Sequence, residues 1–116
     1  MYEKFRKEDI VVVDLDTKKA TISEAISFKN YLLEIIENES PKIILDCREV
    51  VYMDSSFLGA LVFALKKSLS AKGEIVILRS EEESPVWTMF SLTKMDKVFK
   101  LFTDEQSAID SFSSET

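Results

Sequence analysis

Histidine is missing from this 116-residue chain, and cysteine occurs once, glycine twice and proline twice. Without histidine the usual general base, the usual triad partner and the commonest zinc ligand are gone, which removes most hydrolase chemistry. The lone Cys47 allows no intramolecular disulfide and no CxxC metal pair. Set in the apolar run KIILDC, it reads as a small core residue. Gly59 and Gly73 stand alone and build no phosphate-cradling loop. No apolar run approaches the ~20 residues of a membrane span. Nor does an apolar stretch ending in small residues follow MYEKFRKEDI, as it would in a secretory leader. These absences predict a cytoplasmic protein. Positive charge is also short, since 15 Lys and Arg against 21 Asp and Glu leave a net charge of −6. That balance speaks against nucleic acid and anionic membranes as partners. It fits a solvated acidic surface or, more sharply, a partner with a basic face.

What is present is enough for a core. A hydrophobic content of 46% over this length suits one domain spanning residues 1–116, ordered over roughly 10–112, with a polar tail at 113–116 that frays. IVVVDL (Ile10 to Leu15) has the β-branched character of a strand, and Lys19 to Ile22 could pair with it across an Asp16-Thr17-Lys18 turn. Ser23 can cap a helix carrying Ala25, Phe28, Leu32, Ile35 and Ile36 on one face, ended by Ser40-Pro41. KIILDC is a doubly buried strand. A helix from Phe57 to Leu69 follows, apolar around most of its circumference, with lysines in its last turns and Gly73 placed to close it. EIVILR is the next strand, and Ser84-Pro85 opens a short helix to about Thr93. Val98 to Phe102 reads as a last strand, and Thr103-Asp104-Glu105-Gln106 as a capping box before a final helix burying Ala108, Ile109 and Phe112. The order β-β-α-β-α-β-α-β-α predicts an α/β fold: a mixed, largely parallel sheet of about five strands with four helices packed on it.

Chemistry concentrates in YMDSSFLGAL. Asp54, Ser55 and Ser56 interrupt an apolar passage just where a buried helix begins. Two readings share the same physics. Asp54 or Ser55 can simply cap the helix, a contribution of about 1 kcal/mol. Alternatively, a phosphate on Ser55 would sit where unpaired helix N–H groups and the positive dipole end favour an anion.

VVYMDSSFLGALVFALKK resembles the signature of the STAS-domain anti-sigma-factor antagonists, which read Y-M-D-S-S/T-G-L-G before a helix. The likeness continues through the K-I-I-L-D strand, the G-E-I-V-I-L strand, M-D-K-V-F-K-L-F and the Thr103 helix, covering roughly Ile10 to Phe112. It implies that Ser55 is the phosphate acceptor, preceded by Asp54, followed by Ser56, with Leu58 and Gly59 as the L-G pair. It further implies a partner-switching cycle. The unphosphorylated protein holds an anti-sigma factor that is also a serine kinase; phosphorylation releases it, and a PP2C-type, metal-dependent phosphatase resets the cycle. No cofactor, metal, nucleic acid or membrane is involved, and the domain itself catalyses nothing. The docking surface implied is Ser23 with Asp54, Ser55, Ser56, Phe57 and Leu58.

Two positions depart from the pattern. Phe57 stands where the family usually has glycine, and either shields Ser55 or packs inward. The first loop lacks the family's G-x-L-D, with Ser23 where its aspartate would fall. STAS modules also act as scaffolds or sensors without phosphorylation, which is the main alternative here; a small enzyme is a distant third. Elsewhere, Glu81-Glu82-Glu83 reads as a solvated acidic loop, Asp14 and Asp16 as solvent-facing turn residues, and Trp87 and Met89 as core or rim.

Overall fold

The computed structural model describes residues 2–113. The expected tail falls almost wholly outside them; Ser113, the one residue of it described, still belongs to the last helix. The centre is made by the three β-branched runs. Strands β2 (Ile10–Leu15), β4 (Lys42–Asp46) and β6 (Glu74–Leu78) lie parallel, with Val11 opposite Ile43 and Ile43 opposite Ile75. Successive side chains of a strand point to opposite faces, so a run without polar alternation requires cover on both. Val11, Val13, Ile43, Leu45, Ile75 and Ile77 face α1 (Ile22–Asn38) and α2 (Ser55–Ser70). Ile10, Val12, Ile44, Val76 and Leu78 face Ala108 and Phe112 of α4 (Glu105–Ser113). A short parallel strand, β7 (Leu101–Phe102), completes one side, and α3 (Pro85–Leu92) closes over the α1/α2 face through Val86, Trp87 and Phe90. The α/β layering follows the sequence expectation.

The other edge is a finding. YEKFRK forms β1 (Tyr2–Lys7), antiparallel to β2, so that the main sheet has five strands in the order β1-β2-β4-β6-β7. Apart from half-buried Tyr2 the strand is exposed, which suits an edge whose charges deter pairing with another chain. Tyr2 anchors it, its ring 4.9 Å from Phe28 and 4.5 Å from Tyr31.

The segment after β2 also departs from expectation. Lys19–Ala20 forms β3, which pairs in parallel with β5 (Tyr52–Met53) as a separate two-stranded ribbon and not with β2. Thr21, not Ser23, caps α1: its hydroxyl accepts from Ser23 N–H (3.4 Å) while its own N–H donates to the Glu24 carboxylate (3.2 Å). Helix α2 starts earlier than its apolar periodicity suggests, because Asp54 caps it. At its other end Lys72, not Gly73, takes the left-handed conformation, with φ of 67°. Gly73 answers a different demand. A Cβ there would lie 2.2 Å from the Pro41 carbonyl oxygen. In place of the expected strand from Val98, a 3-10 turn at Met95–Lys97 leads to buried Phe99, and only Leu101 and Phe102 pair. Asp104, rather than Thr103, caps α4, accepting from the N–H and hydroxyl of Ser107 at 2.8 and 2.9 Å.

Candidate functional site

The ribbon positions the site. Ala20 stands opposite Met53, so the next residues along the two parallel strands, Thr21 and Asp54, are the caps of α1 and α2. Two helix N-termini, each a positive dipole end, therefore begin side by side. The Asp54 carboxylate joins them. One oxygen accepts from Phe57 N–H of α2 at 2.9 Å, and the other from Ile22 N–H, the first residue of α1, at 2.8 Å. The Asp54 N–H donates to the Ala20 carbonyl at 3.0 Å, fixing the junction from the backbone as well.

Ser55 and Ser56 are the first two residues of α2, and both are exposed. Neither hydroxyl has a hydrogen-bond partner among the described residues. Helix geometry leaves their N–H groups without intrahelical acceptors. Ser23, in the first turn of α1, is exposed at the neighbouring N-terminus. Ser23, Asp54, Ser55 and Ser56 thus gather at one end of the helix pair.

Phe57 does not belong to that surface. Its side chain is fully buried and stacks on Phe28 of α1, ring centroids 5.3 Å apart. The ring therefore braces the two helices and leaves Ser55 open, which decides between the two roles sequence allowed it. Because it is enclosed, Phe57 cannot meet a partner directly, a correction to its place in the expected docking set. Leu58 is half-buried against the core.

Sequence reasoning missed what lies beside Ser56. Between α1 and α2 runs an apolar groove of ≈ 360 Å³, lined by Ile22, Ile26, Ser56, Gly59 and Phe63 among others. Ile22, Ile26 and Phe63 are 67%, 70% and 44% exposed. The sequence places Ile22 in a strand and Phe63 in a helix apolar around most of its circumference, and both readings signal burial, not a surface.

Cys47 is enclosed, and burial pushes its thiol well up from the usual range, so it stays protonated and unreactive. Asp14 is not solvent-facing: it lies half-buried in β2 opposite Asp46, and burial, then the negative charge of Asp46, raises its pKa. Asp46 is engaged by Arg48 through two nitrogens at 3.0 and 2.8 Å. Glu81, Glu82 and Glu83 are exposed, Trp87 is core and Met89 half-buried. Among the described residues no helix is long and apolar enough to cross a membrane.

A mixed five-stranded sheet with four helices is the architecture of the STAS fold. The chain belongs to the STAS domain family, whose sequence profile matches residues 3–108, and by homology it groups with the anti-sigma factor antagonists. A relative from Thermotoga maritima, provisionally named an anti-sigma factor antagonist, is 32% identical over 103 residues, 88% of this chain and 89% of its own. A crystal structure of a T. maritima protein with that provisional name matches with a TM-score of 0.80 at 25% identity, covering 95% of this chain and 92% of that one. The Bacillus cell-fate determinant SpoIIAA in its phosphorylated form matches with a TM-score of 0.70 over 97% of this chain and 99% of that one. At 16% identity that likeness is one of fold.

Proposed function

We propose that this protein is a phosphorylatable binding module that holds a kinase-type anti-sigma factor while Ser55 is free and releases it once Ser55 carries a phosphate. The observation behind this reading is the setting of Ser55: an exposed, unpartnered hydroxyl directly after the aspartate that ties two helix N-termini together. A phosphate there adds about −1.5 to −2 charge and three acceptor oxygens beside the free N–H groups of α2. Inward packing of Phe57 keeps a kinase's access open. That a fold neighbour has been solved in a phosphorylated form supports the same reading. The domain catalyses nothing in this scheme; the kinase supplies the ATP chemistry and a PP2C-type phosphatase the reset.

A second reading is a STAS scaffold that binds partners without modification. It draws on the complete use of Asp54 as a structural tie, which accounts for that residue without any phosphate.

One experiment separates them. Incubated with ATP and the kinase-type anti-sigma factor of the same genome, the protein should gain one phosphate by intact-mass spectrometry, mapped to Ser55. Ser55→Ala should bind the partner and resist release by ATP, and Ser55→Asp should bind weakly. No phosphate, from a partner shown active on another antagonist, would favour the scaffold. A phosphate on Ser56 would keep the switch and refute the residue.

A further inference from the structure

The groove between α1 and α2 ends in an arrangement that its apolar lining does not explain. Phe63 forms its far wall, and two lysines lie over that ring: Lys29 Nζ at 4.7 Å from the centroid and Lys67 Nζ at 5.8 Å. Neither lysine has an ion pair among the described residues. In a chain of net charge −6, an unpaired cation pair against exposed apolar surface is a local reversal of sign. The ring face holds the ammonium groups beside the groove through cation–π attraction. Gly59 leaves the floor open: apart from its chain neighbours and its own helix backbone, nothing lies within 4 Å of where a Cβ would stand. Farther along the same seam Glu37 and Lys67 both line a second hollow, where the chain's own acid ends the cationic stretch.

We propose that this groove receives one amphipathic helix of the partner, whose apolar face lies on Ile22, Ile26 and Gly59 and whose carboxylate meets Lys29 and Lys67. The inference rests on the partner-binding reading above and adds where the partner lies and what chemistry it presents. From Ser56 to Lys67 the α2 rise is about 16 Å, the length of roughly three helical turns. An apolar face at i, i+3/i+4 and i+7 with an acid at one end fits that length. Charge complementarity selects the acid, since a basic side chain at the same place would face two lysines. An anionic bilayer would meet these lysines too, but it would also face the acidic remainder of the molecule. Because Ser56 lines the groove and Ser55 precedes it, a phosphate on Ser55 would put negative charge at the mouth of the groove that receives this acidic helix.

The test uses the full chain, isotopically labelled, titrated with the kinase-type anti-sigma factor of the same genome and followed by amide chemical shifts. The expected footprint runs from Ser55 along the groove to Phe63. Lys29→Glu with Lys67→Glu should weaken binding about tenfold or more while the free protein's spectrum stays folded, and Ile26→Ser should weaken it independently of salt. Binding confined to residues 54–58, with affinity untouched by the lysine changes, overturns this inference and leaves the proposed function standing. Tighter binding by the Lys→Glu variant means a basic partner surface and also overturns it. A concentration-dependent footprint on the groove without partner assigns it to a second copy of this chain. Absence of any binding by wild type removes the proposed function, and this inference with it.

Discussion

Asp54 has two tasks that pull in one direction. Its two carboxylate oxygens accept from different helices, so removing the side chain frees one first-turn N–H in each of α1 and α2, with the Thr21 cap of α1 left in place. A lost cap costs about 1 kcal/mol, and a hydrogen bond to a charged group contributes about 1.5–3 kcal/mol before solvent competition at this half-exposed site. Asp54→Ala should therefore lose about 2 kcal/mol in urea denaturation, with Asp54→Asn intermediate because its amide oxygen still accepts one bond. A loss below about 0.5 kcal/mol would mean that the carboxylate does not bridge the helices. Phe57 shows how one residue can be legible in type and not in role. Its bulk beside Ser55 left shielding and inward packing both open, because the aromatic that takes the ring, Phe28, lies 29 positions away by chain number and enters only through helix packing.

At the scale of elements, the turn after α2 offers a contrast between adjacent residues. Lys72 carries the left-handed backbone, while Gly73 has no positive φ and is pressed against Pro41. Backbone cannot yield as a flexible side chain would. Gly73→Ala should thus destabilise by about 1–3 kcal/mol, as overpacking does, measured by thermal denaturation. Tolerance of the alanine would show that the Pro41 turn moves freely. In β2, burial and the charge of Asp46 raise the pKa of Asp14 in the folded protein. Raised above its unfolded value, the group contributes fully below the ordinary aspartate pKa of 3.8 and loses that contribution as pH rises through the folded-state value. Asp14→Asn should accordingly raise the melting temperature at neutral pH, and the gain should shrink toward zero near about pH 3.5. An equal gain at both pH values would implicate packing instead of titration.

The central strands and the four helices were legible because β-branched runs and a 3.6-residue period report burial directly. β1 was not, since nothing in YEKFRK alternates; it becomes a strand because β2 offers it an edge. Nor was the β3–β5 ribbon, two residues long on each side, visible without knowing that the helices it feeds lie together. Of the candidate site, Asp54, Ser55 and Ser56 stood out as a polar interruption of an apolar passage, while the role expected of Ser55 came from the family resemblance and the groove needed both helices in place.

For the whole molecule, the switch proposed above raises the question whether a phosphate on Ser55 would change the fold or only its surface. At the N-terminus of α2 an anion gains about 0.3–1 kcal/mol from the dipole. The Asp54 carboxylate, next in sequence and already bound to two N–H groups, opposes it by repulsion of similar order at this solvent-exposed site. The opposed effects leave little net change in stability, and the core is untouched: Phe57 and Phe28 remain stacked beneath. A shift of 1 kcal/mol moves the melting temperature of a domain this size by about 4 °C. Phosphorylated and free protein should then melt within about 4 °C of each other, with amide shifts confined to the starts of α1 and α2 and the groove. Partner affinity should nonetheless fall about tenfold or more, which needs only about 1.4 kcal/mol of unfavourable charge at the interface. A larger melting shift, or amide changes spreading through β2, β4 and β6, would mean that the phosphate remodels the domain, and a conformational switch would replace the electrostatic one.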